Sequence, residues 1–363
     1  MNSASNTGKA RGARSNRSGR FEAQAREAFD DGWDLPEEPR RLPTLVSLDR
    51  TRSILSRNDS PDIPFDQSIN PYRGCEHGCA YCFARPTHAY LGLSPGLDFE
   101  TRLIAKPEAA ALLRQELAKP GYQCSPIAMG TNTDPYQPIE REHRITRSIL
   151  EVCLELSHPV SIVTKSASVL RDLDLLRALA ARNLTAVFLS VTTLCGELAG
   201  KLEPRASRPH RRLAAIAALA EAGVPVGIMP SPMIPGLNDH ELEQLLEAGH
   251  ARGARFAGYV LLRLPLEIKD LFREWLEHHV PDRAARVLAL VRQTHEGKLY
   301  DARFGVRGRG TGPYADLLAR RFEAACQRLG LGRERVELDT TAFQKPGRGG
   351  RGGKDGASQL ALF

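Results

Sequence analysis

The chain of 363 residues has a mass of 39.9 kDa, which suffices for one large domain or two small ones. Its hydrophobic content of 42% is ordinary for a globular protein, and it shows neither an apolar run that could span a bilayer nor a signal-peptide pattern, so we expect a cytoplasmic protein with no membrane partner. Four scattered cysteines suit a reducing compartment better than a disulfide framework: Cys124, Cys153, Cys195 and Cys326.

The two ends of the chain carry its net charge of +7. Residues 1–20 contain five basic and no acidic side chains, and residues 344–363 contain four basic and one acidic, so the body between them is nearly neutral. Basic ends commonly attract the phosphates of nucleic acids, although they also serve solubility alone. We therefore predict contact with nucleic acid, with solubility as the alternative.

Residues 1–45 are rich in Gly, Ser, Asn and Arg and then in acids and prolines, which predicts a disordered arm. From about residue 67 onward, short apolar runs alternate with amphipathic segments. The apolar runs predict strands at 67–72, 126–130, 160–164, 186–191, 224–229 and 257–262. The amphipathic segments predict helices at 107–118, 141–157, 168–182, 208–222 and 239–252, the fourth of which ends at Gly223.

Six strand–helix units in unbroken order predict an α/β fold with parallel strands and right-handed crossovers. Such a sheet is an incomplete (βα)6 version of the eight-unit TIM barrel, and we place it at residues 50–265. Further helices around Trp275, 288–291 and 317–326 predict a C-terminal helical extension at 266–342. The Gly-, Arg- and Lys-rich residues from 343 onward predict a flexible linker.

Three cysteines lie within eight residues, in the spacing Cys75-x3-Cys79-x2-Cys82. Gly74 and Gly78 let the backbone wrap around a compact group. Three thiolates can hold three irons of a cubane cluster and leave the fourth iron open to another ligand. Structural zinc is the alternative, but it needs a fourth ligand, for which only His77 or His88 is nearby and neither has a zinc-finger spacing.

This cysteine motif, with Tyr81 directly before its last cysteine, resembles the radical S-adenosylmethionine (radical SAM) superfamily. The resemblance implies a 4Fe–4S cluster whose open iron binds SAM, and reductive cleavage of SAM to a 5′-deoxyadenosyl radical. It also implies a partial (βα)6 barrel, in agreement with the alternation of strands and helices. The cluster would need an electron donor such as flavodoxin or ferredoxin.

Polar side chains follow the ends of the predicted strands, where sites form in parallel strand–helix barrels. These segments are 131–138, 165–166, 190–193, 202–205, 230–239 and Arg263. Four of them (130–138, 164–166, 202–205 and 232–239) resemble the branch of the superfamily related to spore photoproduct lyase, over about residues 50–340.

That resemblance implies roles for several residues. Tyr81 would contact the adenine of SAM, and Met233 and Ile234 would line the adenine edge. Three residues after the second strand would face the SAM amino group or the substrate: Thr131, Asn132 and Asp134. Three further residues would meet the SAM carboxylate and ribose: Lys165, Ser190 and Arg205. A carboxylate prefers a cationic donor, which suits Lys165 and Arg205 physically.

The chain departs from that branch at the hydrogen donor. Spore photoproduct lyase uses a cysteine near the end of the second unit, where this chain has Thr131-Asn132-Thr133. Cys124 precedes the strand and would lie at its other end. We therefore take Tyr136 as the candidate catalytic hydrogen donor.

The chain ends in a short apolar peptide that consists of Gln359, Leu360, Ala361, Leu362 and Phe363. It resembles the motif by which bacterial polymerases and repair proteins bind the sliding clamp. Gln359 would fill a polar pocket, and Leu362 with Phe363 a hydrophobic one, unless the tail folds back on its own body.

Three functional hypotheses follow from the sequence. In the first, a radical SAM enzyme acts on a DNA lesion or modified base and is recruited to the clamp. In the second, such an enzyme acts on RNA, a protein or a small metabolite. In the third, the chain is a non-catalytic iron–sulfur adaptor that senses redox state.

Overall fold

Parallel strands form the centre of the structure, a computed structural model that describes residues 11–22, 42–333 and 336–346. The strands are β1 (Leu45–Leu48), β2 (Leu55–Arg57), β3 (Gln67–Ile69), β4 (Tyr72–Arg73), β5 (Arg102–Ala105), β6 (Ile127–Met129), β7 (Val160–Thr164), β8 (Thr185–Ser190), β9 (Val226–Met229) and β10 (Phe256–Ala257).

The main sheet has the order β10-β9-β8-β7-β6-β3-β2. Its six strands from β3 to β10 are parallel and lie side by side in sequence order, while β2 pairs antiparallel with β3 at the edge. The strands hold apolar side chains that are almost wholly buried, such as Ile127, Val160 and Val187. This open sheet confirms the predicted partial (βα)6 fold.

Helices alternate with the strands as far as β10, and three more follow it in the described C-terminal part of the chain. They are α1 (Asp98–Thr101), α2 (Ala109–Leu117), α3 (Glu140–His143), α4 (Ile145–Glu155), α5 (Leu173–Ala180), α6 (Gly196–Leu202), α7 (Pro209–Glu221), α8 (Leu242–His250), α9 (Ile268–His279), α10 (Pro281–Gln293) and α11 (Gly312–Leu329). Three 3-10 helices accompany them in the described residues, at Arg85–Leu91, Ala167–Asp172 and Asp239–Glu241. Helix α4 buries an apolar face that includes Ile145, Ile149 and Val152, as expected of an amphipathic helix.

Several predicted elements are shorter or divided, and side-chain hydrogen bonds explain two of these differences. The strand predicted at 67–72 ends at Ile69, because the Asn70 amide oxygen accepts the backbone N–H groups of Asn132 and Thr133, at 3.1 and 3.3 Å. The helix predicted at 141–157 breaks at residue 144, since the Glu140 carboxylate accepts the backbone N–H of Thr146 at 3.1 Å and begins a new helix there.

The last strand of the sheet is also shorter than the predicted 257–262. The backbone N–H of Leu261 donates to the carbonyl of Gly308 at 2.9 Å, and Met233 N–H donates to Val260 at 2.8 Å. Loops therefore take the hydrogen bonds that a longer strand would make.

A smaller sheet, of order β1-β5-β4, lies beside the main one. Tyr72 and Arg73 of β4 pair antiparallel with β5, and β1 pairs parallel with β5. The chain thus leaves the main sheet after β3, crosses this small sheet and enters the cysteine motif.

Residues 11–22, which we call the strap, are packed against the fold, although the sequence predicts a disordered arm over 1–45. Gly12 and Ala13 are buried, and their backbone N–H groups donate to the buried Glu100 carboxylate at 2.9 and 2.7 Å. A partner far along the chain, which composition does not reveal, orders this segment. Residues 1–10 and 23–41 lie outside the described residues.

The C-terminal extension is helical, as predicted. Trp275 of α9 is fully buried against α10 residues such as Val287 and Val291. Beyond α11, Phe343 packs edge-on against Tyr122 and His158, with ring centres 5.7 and 5.2 Å apart, so this start of the predicted linker is part of the fold. Residues 347–363, including the terminal peptide, lie outside the described residues. Among the helices that are described, none combines the length and apolarity needed to cross a bilayer.

We predict that His158 makes the stability of the fold pH-dependent. Burial lowers the pKa of His158 from 6.5 to about 4, and its Nε2 lies 2.7 Å from the Tyr122 hydroxyl. The unfolded chain therefore takes up a proton at a higher pH than the folded one does. The stabilisation is complete above pH 6.5 and is lost as the pH falls to about 4. The loss amounts to about 3 kcal/mol in the free energy of unfolding.

Urea unfolding of the full chain between these two pH values checks this prediction. His158→Asn should remove most of the loss, whereas His210→Asn, at an exposed position, should keep the wild-type pH dependence. An unchanged pH dependence in the His158 variant would contradict the assignment.

Candidate active site

The cysteine motif forms a loop at the carboxyl ends of the parallel strands, and we call residues 74–83 the cluster loop. Gly74 and Gly78 have φ angles of 76° and 67°. A Cβ on Gly74 would stand 2.8 Å from the Phe99 carbonyl oxygen, so this turn requires glycine. Gln137, which follows β6, accepts the Glu76 N–H at 2.9 Å and donates to the Gly74 carbonyl at 3.2 Å, which places the loop against the strand ends.

The three cysteine side chains face a shared buried environment. Cys75 and Cys79 are buried and Cys82 is half-buried. Burial, the Asp134 carboxylate and the two other cysteines raise the pKa of Cys75 well above its usual value. Burial, followed by the Glu203 carboxylate, raises the pKa of Cys79 to about 12. Thiolates collected here need a strong positive charge, which the irons of a cluster supply.

Within the described residues, no three His, Cys, Asp or Glu side chains converge as the ligands of one metal ion would. The three thiolates of a cubane bind three different irons and need not converge in that way. The donor set therefore fits a 4Fe–4S cluster.

Asp134 joins the loop to the ends of β6 and β7. Its carboxylate accepts the Thr164 hydroxyl and the Lys165 backbone N–H, both at 2.7 Å, and lies 3.3 Å from Nδ1 of His77 in the cluster loop. Burial opposes its ionisation, but the His77 ring and these hydrogen bonds outweigh burial and lower the pKa of Asp134 to about 2. The ionised Asp134 carboxylate therefore links the strand ends to the cluster loop. Both of its oxygens already have partners in this network, so it is not free to bind SAM.

Glu203 holds the other side of the loop. Its carboxylate accepts hydrogen bonds from the Tyr81 hydroxyl, from the Thr192 hydroxyl at 2.6 Å and from the Arg212 guanidinium. Burial opposes ionisation here too, yet Arg212 and then Lys165 lower the pKa of Glu203 to about 2. Tyr81, the predicted adenine contact, is thus buried, with its hydroxyl committed to this network.

Lys165 directly follows β7, and its ammonium group lies over the Tyr81 ring. Nζ lies 5.8 Å from the centre of the Tyr81 ring. Its positive charge favours the ionised forms of Cys79 and Glu203. It partly offsets the rise in the pKa of Cys79 and adds to the fall in the pKa of Glu203. Of the predicted SAM-binding cations, Lys165 is the one that the structure brings beside the cysteines and Tyr81.

Arg205, the other predicted cation, is already paired. Its Nη2 donates to the buried Glu76 carboxylate at 2.9 Å, and its backbone N–H donates to the His77 carbonyl at 3.3 Å. Glu76 and His77 lie between Cys75 and Cys79. The structure therefore places Arg205 at the site as a support for the cluster loop.

The predicted residues of the later strands also lie at the carboxyl ends, in backbone-held positions. The Ser190 hydroxyl donates to the Ser231 carbonyl at 2.9 Å. Met233 and Ile234 are fully buried, and the Ile234 N–H donates to the Asn238 side chain at 2.6 Å. Ile234 and Tyr81 belong to the same apolar cluster, so these hydrogen bonds fix the loop beside Tyr81.

Thr131 and Asn132 are half-buried after β6, as the sequence predicts. Asn70 binds both, through the Thr131 hydroxyl at 3.4 Å and the Asn132 N–H at 3.1 Å. Their position at the strand end agrees with a ligand-facing role.

Tyr136 is not brought together with these residues. Its side chain is buried in the main core, with the Arg171 guanidinium 5.9 Å from the ring centre. Burial and the neighbouring Asp172 raise its pKa well above the usual value. Arg171 also binds Glu140 at 2.8 Å, so Tyr136 belongs to an ionic cluster behind the strand ends. This placement does not support Tyr136 as the hydrogen donor.

Sequence reasoning missed four side chains that organise the site. They are Glu76, His77, Glu203 and Arg212. Glu203 stood inside a noted segment, at the carboxyl end of α6, but the sequence did not indicate its distant partner Tyr81. Arg212 gave none, since one buried arginine on a helix rich in arginine and alanine looks like its exposed neighbours.

Comparison with known proteins agrees with this geometry. The Radical SAM superfamily matches residues 69–249. An uncharacterized protein of Mycobacterium tuberculosis is 37% identical over 233 residues, which cover 64% of this chain and 68% of the relative. An uncharacterized protein of Methanocaldococcus jannaschii is 31% identical over 173 residues, 48% of this chain and 62% of the relative.

Solved structures show the same fold. A mutant of spore photoproduct lyase with bound AdoMet and dinucleoside spore photoproduct matches with a TM-score of 0.57 at 18% identity, over 80% of this chain and 82% of that one. The same enzyme complexed with dinucleoside spore photoproduct matches with a TM-score of 0.56 at 17% identity, over 79% of this chain and 80% of that one.

The chain belongs to the radical SAM superfamily. It is a radical SAM enzyme, and its cofactors are a 4Fe–4S cluster and S-adenosylmethionine. The family membership decides two alternatives left open by the sequence, since it favours a cluster over structural zinc and an enzyme over a non-catalytic adaptor.

We predict that Arg212→Met strongly destabilises the chain. It leaves the Glu203 carboxylate buried without its guanidinium, a loss of about 3–5 kcal/mol in the free energy of unfolding. The double change Glu203→Gln with Arg212→Met should cost less, because no charge then remains buried. Denaturant unfolding of both variants measures the difference. Arg211→Met, at the exposed neighbouring position, is the matched control; equal losses at 211 and 212 would disprove the role of the pair.

Proposed function

We propose that this enzyme acts on a lesion or modified base in DNA, with Cys75, Cys79 and Cys82 holding its cluster. When bound, the cluster supplies the electron that cleaves SAM to the 5′-deoxyadenosyl radical, which takes hydrogen from the substrate. A flavodoxin or ferredoxin would deliver that electron in the cytoplasm. Recruitment to the DNA polymerase sliding clamp through Gln359, Leu360, Leu362 and Phe363 is part of the proposal.

An exposed aromatic side chain beside the cysteines carries the DNA assignment. Phe83 directly follows Cys82 and is 42% exposed. The Arg263 guanidinium, at the end of the sixth strand unit, lies 4.7 Å from the centre of its ring. An exposed ring with a cation over it suits a stacked base and its phosphate, and each stacked base contributes about 1–3 kcal/mol to binding. Phe83 and Arg263 together form what we call the platform. Because Phe83 directly follows Cys82, a base bound there would lie close to the cluster site.

The residues around the cluster loop have separable tasks in this proposal. The Lys165 ammonium offers the cation for the SAM carboxylate, since Arg205 already neutralises Glu76. Thr131 and Asn132 offer polar groups to the SAM amino group or the base, and Ser190, Met233 and Ile234 form the wall beside Tyr81. Asp134, Glu203 and Arg212 hold this arrangement and keep water from the buried cysteines.

The likeness to spore photoproduct lyase supports a DNA substrate as a class, not that enzyme's own lesion. This chain has Thr131-Asn132-Thr133 where spore photoproduct lyase uses a cysteine. Cys124 precedes β6 and so lies at the opposite end of the strand. We therefore expect a hydrogen donor other than the cysteine of that enzyme.

The first test is whether DNA stimulates SAM cleavage. The protein, reconstituted anaerobically with iron and sulfide and then reduced, should release 5′-deoxyadenosine, and damaged duplex or single-stranded DNA should raise that rate. Cys79→Ala should abolish release. A rate that rises with RNA, a peptide extract or a metabolite pool, but not with DNA, would refute the DNA assignment and favour the second hypothesis.

A second experiment measures affinity for single-stranded DNA and tests the platform directly. Phe83→Ala should weaken the affinity for single-stranded DNA by about 1–3 kcal/mol, while Phe83→Trp should retain it. Leu317→Ala, on α11, removes a comparably exposed apolar side chain away from this pair and should bind as wild type. Equal affinities of the Phe83→Ala and Leu317→Ala variants would remove Phe83 from the DNA-binding surface.

Clamp recruitment is tested separately. Replacing Leu362 and Phe363 with alanine should reduce affinity for a purified bacterial sliding clamp on the order of a hundredfold, because such apolar anchors carry about 2–4 kcal/mol. Calorimetry with Ser358→Ala, just outside the peptide, provides the control. Undiminished binding by the double variant would show that another surface contacts the clamp, and a wild-type chain that does not bind would refute recruitment altogether.

A further inference from the structure

The strap lies directly on the cluster loop. A Cβ atom on Gly12 would stand 1.6 Å from the carbonyl oxygen of Gly78, and one on Gly78 would stand 2.5 Å from the Glu100 carboxylate. No side chain fits at either position without a shift of the backbone. The strap, the cluster loop and Glu100 are therefore in mutual contact at this point.

The Glu100 carboxylate is fully buried and depends on the strap for its hydrogen bonds. It accepts the N–H groups of Gly12 and Ala13 at 2.9 and 2.7 Å and pairs with Nη2 of Arg85 at 2.5 Å. A buried carboxylate needs both a counter-charge and hydrogen bonds to its remaining lone pairs. Arg85 supplies the charge, and the two strap amides supply the remaining bonds.

Arg85 transmits this contact to one of the cysteines. Its guanidinium is fully buried, and Nε donates to the carbonyl of Cys79 at 3.0 Å. Nη1 donates to the Gly96 carbonyl at 2.8 Å, which leaves the group little freedom to move. The strap thus fixes the Cys79 backbone through Glu100 and Arg85.

A second line of contacts reaches the other side of the loop. Nη2 of Arg11 donates to the Thr44 hydroxyl at 3.0 Å, and that hydroxyl donates to the Glu76 carboxylate at 2.5 Å. Glu76 directly follows Cys75. The strap is therefore linked to the loop beside the first cysteine as well as at the second.

The rest of the strap is anchored to neighbouring elements. The side-chain amide of Asn16 donates to Asp98 at 3.0 Å and its oxygen accepts the Asp98 N–H at 2.9 Å. Arg17 pairs with Glu274 of α9 at 2.8 Å. These contacts hold the strap in place without themselves involving the cluster loop.

We propose that the strap is a positioning element for the iron–sulfur site. It holds the backbone of Cys79 through Glu100 and Arg85 and the Glu76 side chain beside Cys75 through Thr44, and it slows the loss of the cluster once it is bound. This role rests on the cofactor of the family and is independent of whether the substrate is DNA.

Gly12→Ala tests the role directly, because its new Cβ must push the strap off Gly78. After anaerobic reconstitution, the variant exposed to air should lose iron roughly tenfold faster than wild type. A roughly tenfold ratio corresponds to the lower end of the free-energy cost of overpacking. Hydrogen exchange of peptides covering residues 74–83 should accelerate, and the electron paramagnetic resonance signal of the reduced cluster should broaden. Gly121→Ala, where a Cβ meets no atom within 4 Å, is the matched control and should behave as wild type.

Asn16→Ala is the second variant, since it loosens the strap at a distance from the cluster loop and decides the question if Gly12→Ala does not fold. It should show the same changes to a smaller extent. Wild-type iron loss, exchange and resonance signal in the folded variants would overturn the proposal. A lower melting temperature with all three readouts unchanged would also overturn it, because the strap would then stabilise the fold without positioning the cluster site.

Discussion

The buried carboxylate of Glu203 is the constraint on which the candidate site depends. It binds the cluster loop through Tyr81, the end of β8 through Thr192 and helix α7 through Arg212. Arg212 in turn donates to the Ser190 carbonyl at 2.8 Å. One carboxylate thus joins the end of β8 and helix α7, which lie near it in sequence, to the cluster loop more than a hundred residues away, and a guanidinium without access to water secures its ionised state. Without it, the loop that carries the cysteines would lose its register against the sheet.

Ion pairs and one histidine contact hold the buried acids around the cluster loop. Glu203 pairs with Arg212, Glu76 with Arg205 and Glu100 with Arg85, while Asp134 contacts the His77 ring. Such pairs contribute little net stability but fix geometry strongly. Because each acid already has its own partner, three thiolates would add uncompensated negative charge. That charge is matched by iron and, in part, by Lys165, which explains why a cluster fits here without further protein cations.

Much of this fold could be predicted from the sequence, and the exceptions have a common cause. The order of strands β3 to β10 follows from buried apolar runs that alternate with amphipathic helices, and Lys165 and Ser190 lie at strand ends as that order requires. Pairings over long sequence distances could not be predicted in the same way. Arg205 looked like a free cation because Glu76 lies 129 residues away.

The N-terminal segment illustrates the same limit. Gly12 and Ala13 look disordered by composition because their partner, Glu100, is 87 or 88 residues further along the chain. Tyr136 follows a strand end, yet Arg171 and Asp172 draw it into the core. In both cases a charged partner distant in sequence decides the outcome: it orders the N-terminal segment and turns the Tyr136 side chain into the core.

The C-terminal segment that carries Phe343 decides which end of the sheet the described chain reaches last. Gln344 N–H donates to the Leu156 carbonyl at 2.8 Å and Lys345 Nζ to the Pro120 carbonyl at 3.1 Å. Both acceptors precede strands, so the chain passes residue 346 at the amino ends of the sheet, while the cysteines lie at the carboxyl ends. The last described residues of the chain therefore lie at the pole opposite the cysteines. This segment braces the amino ends of the strands and leaves their carboxyl ends, where the chemistry takes place, uncovered by it.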